Sequence, residues 1–209
     1  MPELQLNASF ESWKLFWVRR NHPRFKLIAE KIFKRDNYTC YYCDFKTPKV
    51  NLEVINLDNN YQNNTPTNLA TACPLCAQCF FLESIGTGEF GGGFLIYLPE
   101  ISQAQLNALC NQSFLEIQKR TAQSEAAEGV LRDLRFRMSD VDKLFGDGMS
   151  DPSRFGSLML IANFSQEKVR KILSPLRLLP VRSRFSHFID LVIKAEKNDM
   201  DNHDFESEF

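Results

Sequence analysis

Two Cys-x-x-Cys pairs constrain this chain more than any other feature. Cys40-Tyr41-Tyr42-Cys43 and Cys73-Pro74-Leu75-Cys76 are separated by 29 residues. Each pair bends the backbone into a knuckle and aims two thiolates at one point. Two knuckles complete a tetrahedral four-sulfur site with no open position. A closed site is structural, because it leaves no coordination place for a reactive water. The spacing therefore predicts one structural zinc ion on Cys40, Cys43, Cys73 and Cys76, bound as the chain folds. Redox chemistry and disulfides are the alternatives. Cys79 and Cys110 are left over. Cys79, three residues past the second knuckle, is either a spare ligand or a small apolar core residue.

The setting favours metal over disulfides. The N-terminus is acidic and polar, without a basic stretch leading into an apolar one, so no secretory signal is read there. No apolar run reaches the roughly 18–20 residues that span a bilayer. The expected location is cytosolic, where thiols stay reduced. With a net charge of −1, the whole molecule has no bulk attraction for nucleic acid or anionic lipid. The 18 phenylalanines point to large buried aromatic surfaces or to an interface.

Around the cysteines the patterning is mostly helical, and the expected class is α+β, a small zinc module packed on a helical body. Four stretches are expected: N-terminal helices over 1–35, the cysteine module over 36–85, a mainly helical domain over 86–197, and an acidic disordered tail over 198–209. In the first, Phe10, Trp13, Phe16 and Trp17 recur at helical spacing, and Pro23 suits the first turn of a second helix. Lys14–Arg35 carries eight Lys/Arg and one acid, which reads as a solvated face or as a phosphate-binding one. Gly86–Gly93 holds five of the nine glycines but lacks the Lys-Ser/Thr ending of a phosphate loop; a flexible turn into a strand at Phe94–Leu98 is expected. Ser102 with Gln105 reads as a capping box. Phe155–Phe164 is apolar and expected to be buried. Ser165–Lys197 carries eight Lys/Arg against three acids, whereas the last twelve residues carry five acids and no Lys or Arg.

The segment between the knuckles is the more informative part. Residues 38–81, including Leu52-Glu53-Val54, Leu57-Asp58, Asn60, Asn63-Asn64 and Asn68-Leu69, resemble the ββα-metal module of HNH endonucleases that carry a four-cysteine zinc support. The resemblance places the catalytic Asp-His pair of that family at Ile55-Asn56, and its histidine after the last cysteine at Ala77. Isoleucine offers a metal no oxygen ligand. A carboxamide cannot take the proton that a general base must accept. His22, His187 and His203 all lie outside the module. The expectation is a retained frame without catalysis, not an enzyme, with nucleic-acid binding or an atypical nuclease using Asp58 as base as the alternatives.

A wider resemblance covers residues 1 to about 197. It is carried by "YTCYYCDF", "LEVINLDNNYQNNTPTNLATACPLC", "GEFGGGFLIYLPEISQAQLNALC", "MSDPSRFG" and "LRLLPVRSRF". In these segments the chain resembles the IcmJ (DotN) family of Dot/Icm type IVB secretion systems. That resemblance implies a non-enzymatic cytoplasmic subunit of the coupling complex, peripheral to the inner membrane. It would bind the C-terminal cytoplasmic extension of the coupling ATPase, DotL, and through it meet the IcmS–IcmW adaptor pair and effector proteins. No nucleic-acid partner is implied.

Overall fold

The structure, a computed structural model, describes residues 2–47, 51–162 and 164–206. It is α+β and mostly helical. Helix α1 (Phe10–Asn21) starts at Ser9, whose hydroxyl accepts from Ser12 N at 3.4 Å. Helix α2 (Pro23–Arg35) follows at once: His22 ends the first helix in extended backbone and its Nδ1 accepts from Arg24 N, while Pro23 takes the first turn. Strands β1 (Glu53–Asn56) and β2 (Leu69–Ala72) pair antiparallel, Glu53 opposite Ala72 and Asn56 opposite Leu69. The short helix α3 (Pro74–Ala77) completes a ββα unit.

A second antiparallel pair joins distant parts of the chain. Strand β3 (Gly93–Tyr97) lies where an apolar strand is expected; its partner β4 (Leu176–Pro180) lies some eighty residues on. The sequence reading allows one short strand in this half, near 94–98, and notes only that Pro175 and Pro180 punctuate "SPLRLLPVRS". Pro180 instead closes the strand opposite Gly93, where a lost backbone donor is tolerated. Gly93 is required there, since a Cβ would lie 2.5 Å from Leu179 O. Between the two strands run α4 (Gln103–Lys119), α5 (Ser124–Phe136), α6 (Met138–Phe145), α7 (Pro152–Ile161) and α8 (Gln166–Leu173). Ser102 and Gln105 form the capping box of α4 in both directions, at 3.1 and 2.8 Å. Helix α9 (Ser186–Glu206) ends the described chain. It overlaps the expected disordered tail, 198–209, because no Gly or Pro stops it after Lys197; residues 207–209 lie outside the described residues.

The larger of two clusters of buried side chains joins most of the elements, while Phe25 and Ile32 of α2 pack with Val54 and Leu69 in the smaller one. The larger takes Phe16 from α1, the cysteine knuckles, Leu95 and Ile96 from β3, Leu106, Cys110 and Phe114 from α4, Phe155 from α7, Leu178 from β4 and Ile189 from α9. Trp13, Phe16, Tyr61, Phe81 and Phe90 form a stacked and edge-on aromatic group, with Phe16 and Phe81 centroids 4.8 Å apart. The phenylalanines are thus largely core.

Two expectations fail on packing. The Phe155–Phe164 run is buried only at its start: Phe155 is 2% exposed, but Leu158 is 45% and Ile161 80% exposed. Gly156 shows why α7 sits where it does, since a Cβ there would meet Glu83 N at 2.5 Å. The glycine-rich loop is tied down rather than free. Gln78 Oε1 accepts from Gly92 N, and Arg184 donates to Gly91 O and Gly88 O, each at 2.9 Å.

Candidate metal centre

The first knuckle is a tight reversal. Asn37, Tyr38 and Asp44 take left-handed backbone, and Cys40 exchanges backbone hydrogen bonds with the turn, from its N to Phe45 O and from Asp44 N to its O. Asn and Asp tolerate this region better than other side-chain residues. Tyr41 N donates to Thr71 O at 2.8 Å and so ties this knuckle to β2. The second knuckle is built by α3: Cys73 is its N-cap, and Cys73 O accepts from both Cys76 N and Ala77 N. The sheet and the short helix thereby bring the two pairs, which flank the hairpin in sequence, to the same end of it.

The sulfurs of Cys40, Cys43, Cys73 and Cys76 lie within 4.8 Å of one another, and all four residues are buried. Cys43 Sγ and Cys73 Sγ are 3.7 Å apart. That is too long for a disulfide, at about 2.05 Å. It matches the sulfur–sulfur edge of roughly 3.8 Å that a tetrahedron with metal–sulfur bonds of about 2.3 Å requires. The donor set and its shape can therefore hold a metal ion. Protons are unevenly shared among these thiols. Hydrogen bonds from Cys43, Cys73 and Cys76 hold Cys40 well below the ordinary thiol range, whereas burial first, and the neighbouring thiols next, push Cys73 and Cys76 well above it. A metal ion binds cysteine as thiolate, so loading this site releases protons.

Cys79 and Cys110 lie elsewhere in the core. Cys79 Sγ donates to Leu75 O at 3.4 Å, and burial pushes its thiol up to about 12. Cys110 is fully buried on α4 and shifted up by burial alone.

The positions aligned with nuclease chemistry are sealed. Ile55, Asn56 and Ala77 have no exposed surface. Ile55 and Ala77 belong to the apolar core. Asn56 faces the other side of β1, and its Nδ2 donates to Asn60 O at 2.9 Å and to Asn63 O at 2.6 Å. A carboxamide NH2 supplies both donors. The loop that follows is a chain of such bonds. Asp58 accepts from Asn60 N, Asn63 Nδ2 and Asn68 Nδ2, each at 2.8 Å. Burial alone would raise the Asp58 carboxyl, but those donors hold it below the usual carboxylate range.

Arg19 lies in the basic stretch that the sequence reads as a solvated or a phosphate-binding face, and the structure buries it instead. It is 8% exposed. Its guanidinium donates to Val54 O and Asn64 Oδ1, both at 2.8 Å, and stacks over Phe25 and Tyr61. Burial lowers it to about 10, against Tyr61 and Glu53, so it stays charged at neutral pH. The basic stretch is spent in part on the fold: Arg20 meets Glu53 at 2.5 Å and Arg35 meets Asp36 at 2.7 Å. The other residues missed are Asn107 and Asn111, which touch the sulfurs from α4. Their only signal is polar residues at four-residue spacing beside the Leu106–Cys110–Phe114 stripe.

Fold and site together define a mostly helical α+β protein assembled around a buried four-cysteine metal centre. No family model matches the chain. A curated relative, the type 4 apparatus protein DotN of Legionella pneumophila subsp. pneumophila (strain Philadelphia 1), is 46% identical over 189 residues, covering 90% of this chain and 88% of the relative. The chain belongs to the DotN (IcmJ) family. Among the described residues, no helix is long and apolar enough to cross a membrane.

Proposed function

We propose that this chain is a non-catalytic, zinc-stabilised structural subunit of a Dot/Icm type IVB secretion coupling complex. It binds the C-terminal cytoplasmic extension of the coupling ATPase, DotL, and through it meets the IcmS–IcmW pair and the effector proteins to be exported. It reaches the inner membrane only through that ATPase. The kinship to DotN over nine-tenths of the chain carries this reading.

The geometry supports its two chemical parts. Four buried sulfurs within 4.8 Å of one another suit zinc, which favours closed all-sulfur sites of this kind. Asn56 supports the non-catalytic part. Both hydrogens of its amide go to loop carbonyls, where the resembling nucleases need a base open to water. Asp58, the other candidate base, already accepts three hydrogen bonds.

The test is co-purification of this chain with the ATPase extension, sized by light scattering. A stoichiometric complex stable in high salt is expected, and its absence would overturn the partner reading. Magnesium- or manganese-dependent nicking of plasmid DNA by the metal-loaded chain would overturn the non-catalytic reading.

A further inference from the structure

Helix α4 lies against the sulfur cluster with two carboxamides one turn apart. Asn107 Nδ2 lies 3.2 Å from Cys76 Sγ, 3.7 Å from Cys79 Sγ and 3.1 Å from Leu75 O. Asn111 Nδ2 lies 3.7 Å from Cys43 Sγ and 3.6 Å from Cys73 Sγ. Neither residue has any exposed surface. Asn107 is satisfied on its other side: its Oδ1 accepts from Gln103 Nε2 at 2.9 Å. Gln103 in turn bonds Leu178 O and Leu178 N, so a continuous polar chain runs from β4 to Cys76.

Asn111 is the telling residue. Its Oδ1 finds no hydrogen-bond partner among the described residues, and its amide faces two sulfurs. A buried carboxamide is costly unless its bonds are strong. A thiol sulfur is a weak acceptor. A thiolate accepts a charge-assisted bond, about twice as strong as a neutral one. The position makes physical sense when the sulfurs are charged. Four thiolates around a divalent cation leave two negative charges in a buried volume, and here carboxamides, rather than cations, approach the sulfurs.

We propose that Asn107 and Asn111 are positioning residues of the metal centre. Their N–H groups hold the thiolates of Cys76 and of Cys43 and Cys73 and draw off part of their charge, while Gln103 orients Asn107 from β4. This rests on the metal reading of the four cysteines. Removing a partner that orients metal ligands weakens such sites by about 10–100-fold.

The test uses the full chain, a chromophoric chelator competing for zinc, and cobalt(II) as a spectroscopic stand-in. Wild type is expected to bind one ion. Asn111→Leu, close in shape but without donors, is expected to bind at least about tenfold more weakly and to shift the thiolate-to-cobalt band. Gln112→Leu, on the exposed side of the same helix, is expected to move neither. A purely packing role for Asn111 gives the opposite result: Asn111→Leu removes an unsatisfied carbonyl, melts no lower, and leaves affinity and spectrum unchanged, which overturns the proposal. If Asn111→Leu does not fold, Asn111→Ala is titrated with the same two outcomes. A wild type that takes up no metal overturns this inference together with the metal reading beneath it.

Discussion

The two ends of the β1–β2 hairpin are held by opposite means. At the knuckle end, Cys40, Cys43, Cys73 and Cys76 converge with sulfurs 4.8 Å apart or less, and two asparagines, Asn107 and Asn111, bond to them. At the loop end, residues 56–68 are held by their own amides and by Asp58, with Asn56 at the base. One end offers four ligands to an ion from outside the chain, whereas the other carries its own cross-links. In the nucleases that this module resembles, the loop end holds the catalytic ion. Here carboxamides fill the loop end, and among the described residues the candidate metal site is the cysteine cluster at the other end.

The most drastic way to break the contrast is to remove the ion's ligands. Cys73→Ser is expected to lose the metal and the cooperative unfolding transition together, since structural zinc supplies binding energies of order 10 kcal/mol. Metal content by mass spectrometry and thermal melting followed by circular dichroism check this. A Cys73→Ser chain that is soluble, folded and melts like wild type would end the structural role of the site.

Asn56→Ala attacks the other end. Two carbonyls, Asn60 O and Asn63 O, lose donors in a part-buried place. A loss of about 2–4 kcal/mol is expected, with the metal stoichiometry and partner binding unchanged. Equal loss of metal in this variant would mean that the two ends are one unit.

How far the sequence exposed this division depends on the chemistry of each part. The four sulfurs were legible because a metal site imposes strict spacing, and Cys-x-x-Cys leaves few alternatives. Helices α1, α2 and α4 were legible from periodicity, with Pro23 and Ser102 marking the starts of the last two. Strand β4 was not, because Leu176–Pro180 becomes a strand only by pairing with Gly93–Tyr97, a contact that no local pattern encodes. Arg19 was hidden for a related reason. Its burial follows from Phe25 on α2, Val54 on β1 and Tyr61 and Asn64 in the loop after it, three segments that meet only in the fold. The asparagines of α4 could not be told from solvated polar residues by type, because what distinguishes them is the cluster across from them.

Glu53, at the start of β1, sharpens the contrast through pH. Burial raises its carboxyl from the ordinary 4.5 to about 7, against the pull of Arg20 and Arg19. The folded state therefore binds this proton more tightly than the unfolded state does. The contribution to stability is full below about pH 4.5 and is lost as pH rises through 7, amounting to about 3 kcal/mol at most. Glu53→Gln cannot ionise and is expected to flatten that part of the stability curve, as denaturant unfolding at pH 5 and pH 8 will show. Parallel curves for the two proteins would place the titration elsewhere.

Asp58 carries the smallest expected effect and the opposite sign. Its hydrogen bonds hold the folded carboxyl below the usual range, so its stabilisation is present above about pH 4 and fades as pH falls through the folded value. The group is exposed, and water competes for the same bonds, so Asp58→Ala is expected to lose about 1 kcal/mol or less at neutral pH. What it tests is local. Amide exchange of residues 58–68 should quicken in Asp58→Ala at pH 7, and in wild type only under acid, while exchange at the cysteine knuckles stays unchanged. Because acid also strips thiolates of metal, the wild-type comparison must stay above the pH at which metal is released. Within that window, faster exchange at the knuckles would show that the loop network and the metal centre share one cooperative unit, and the hairpin would then have one means of support rather than two.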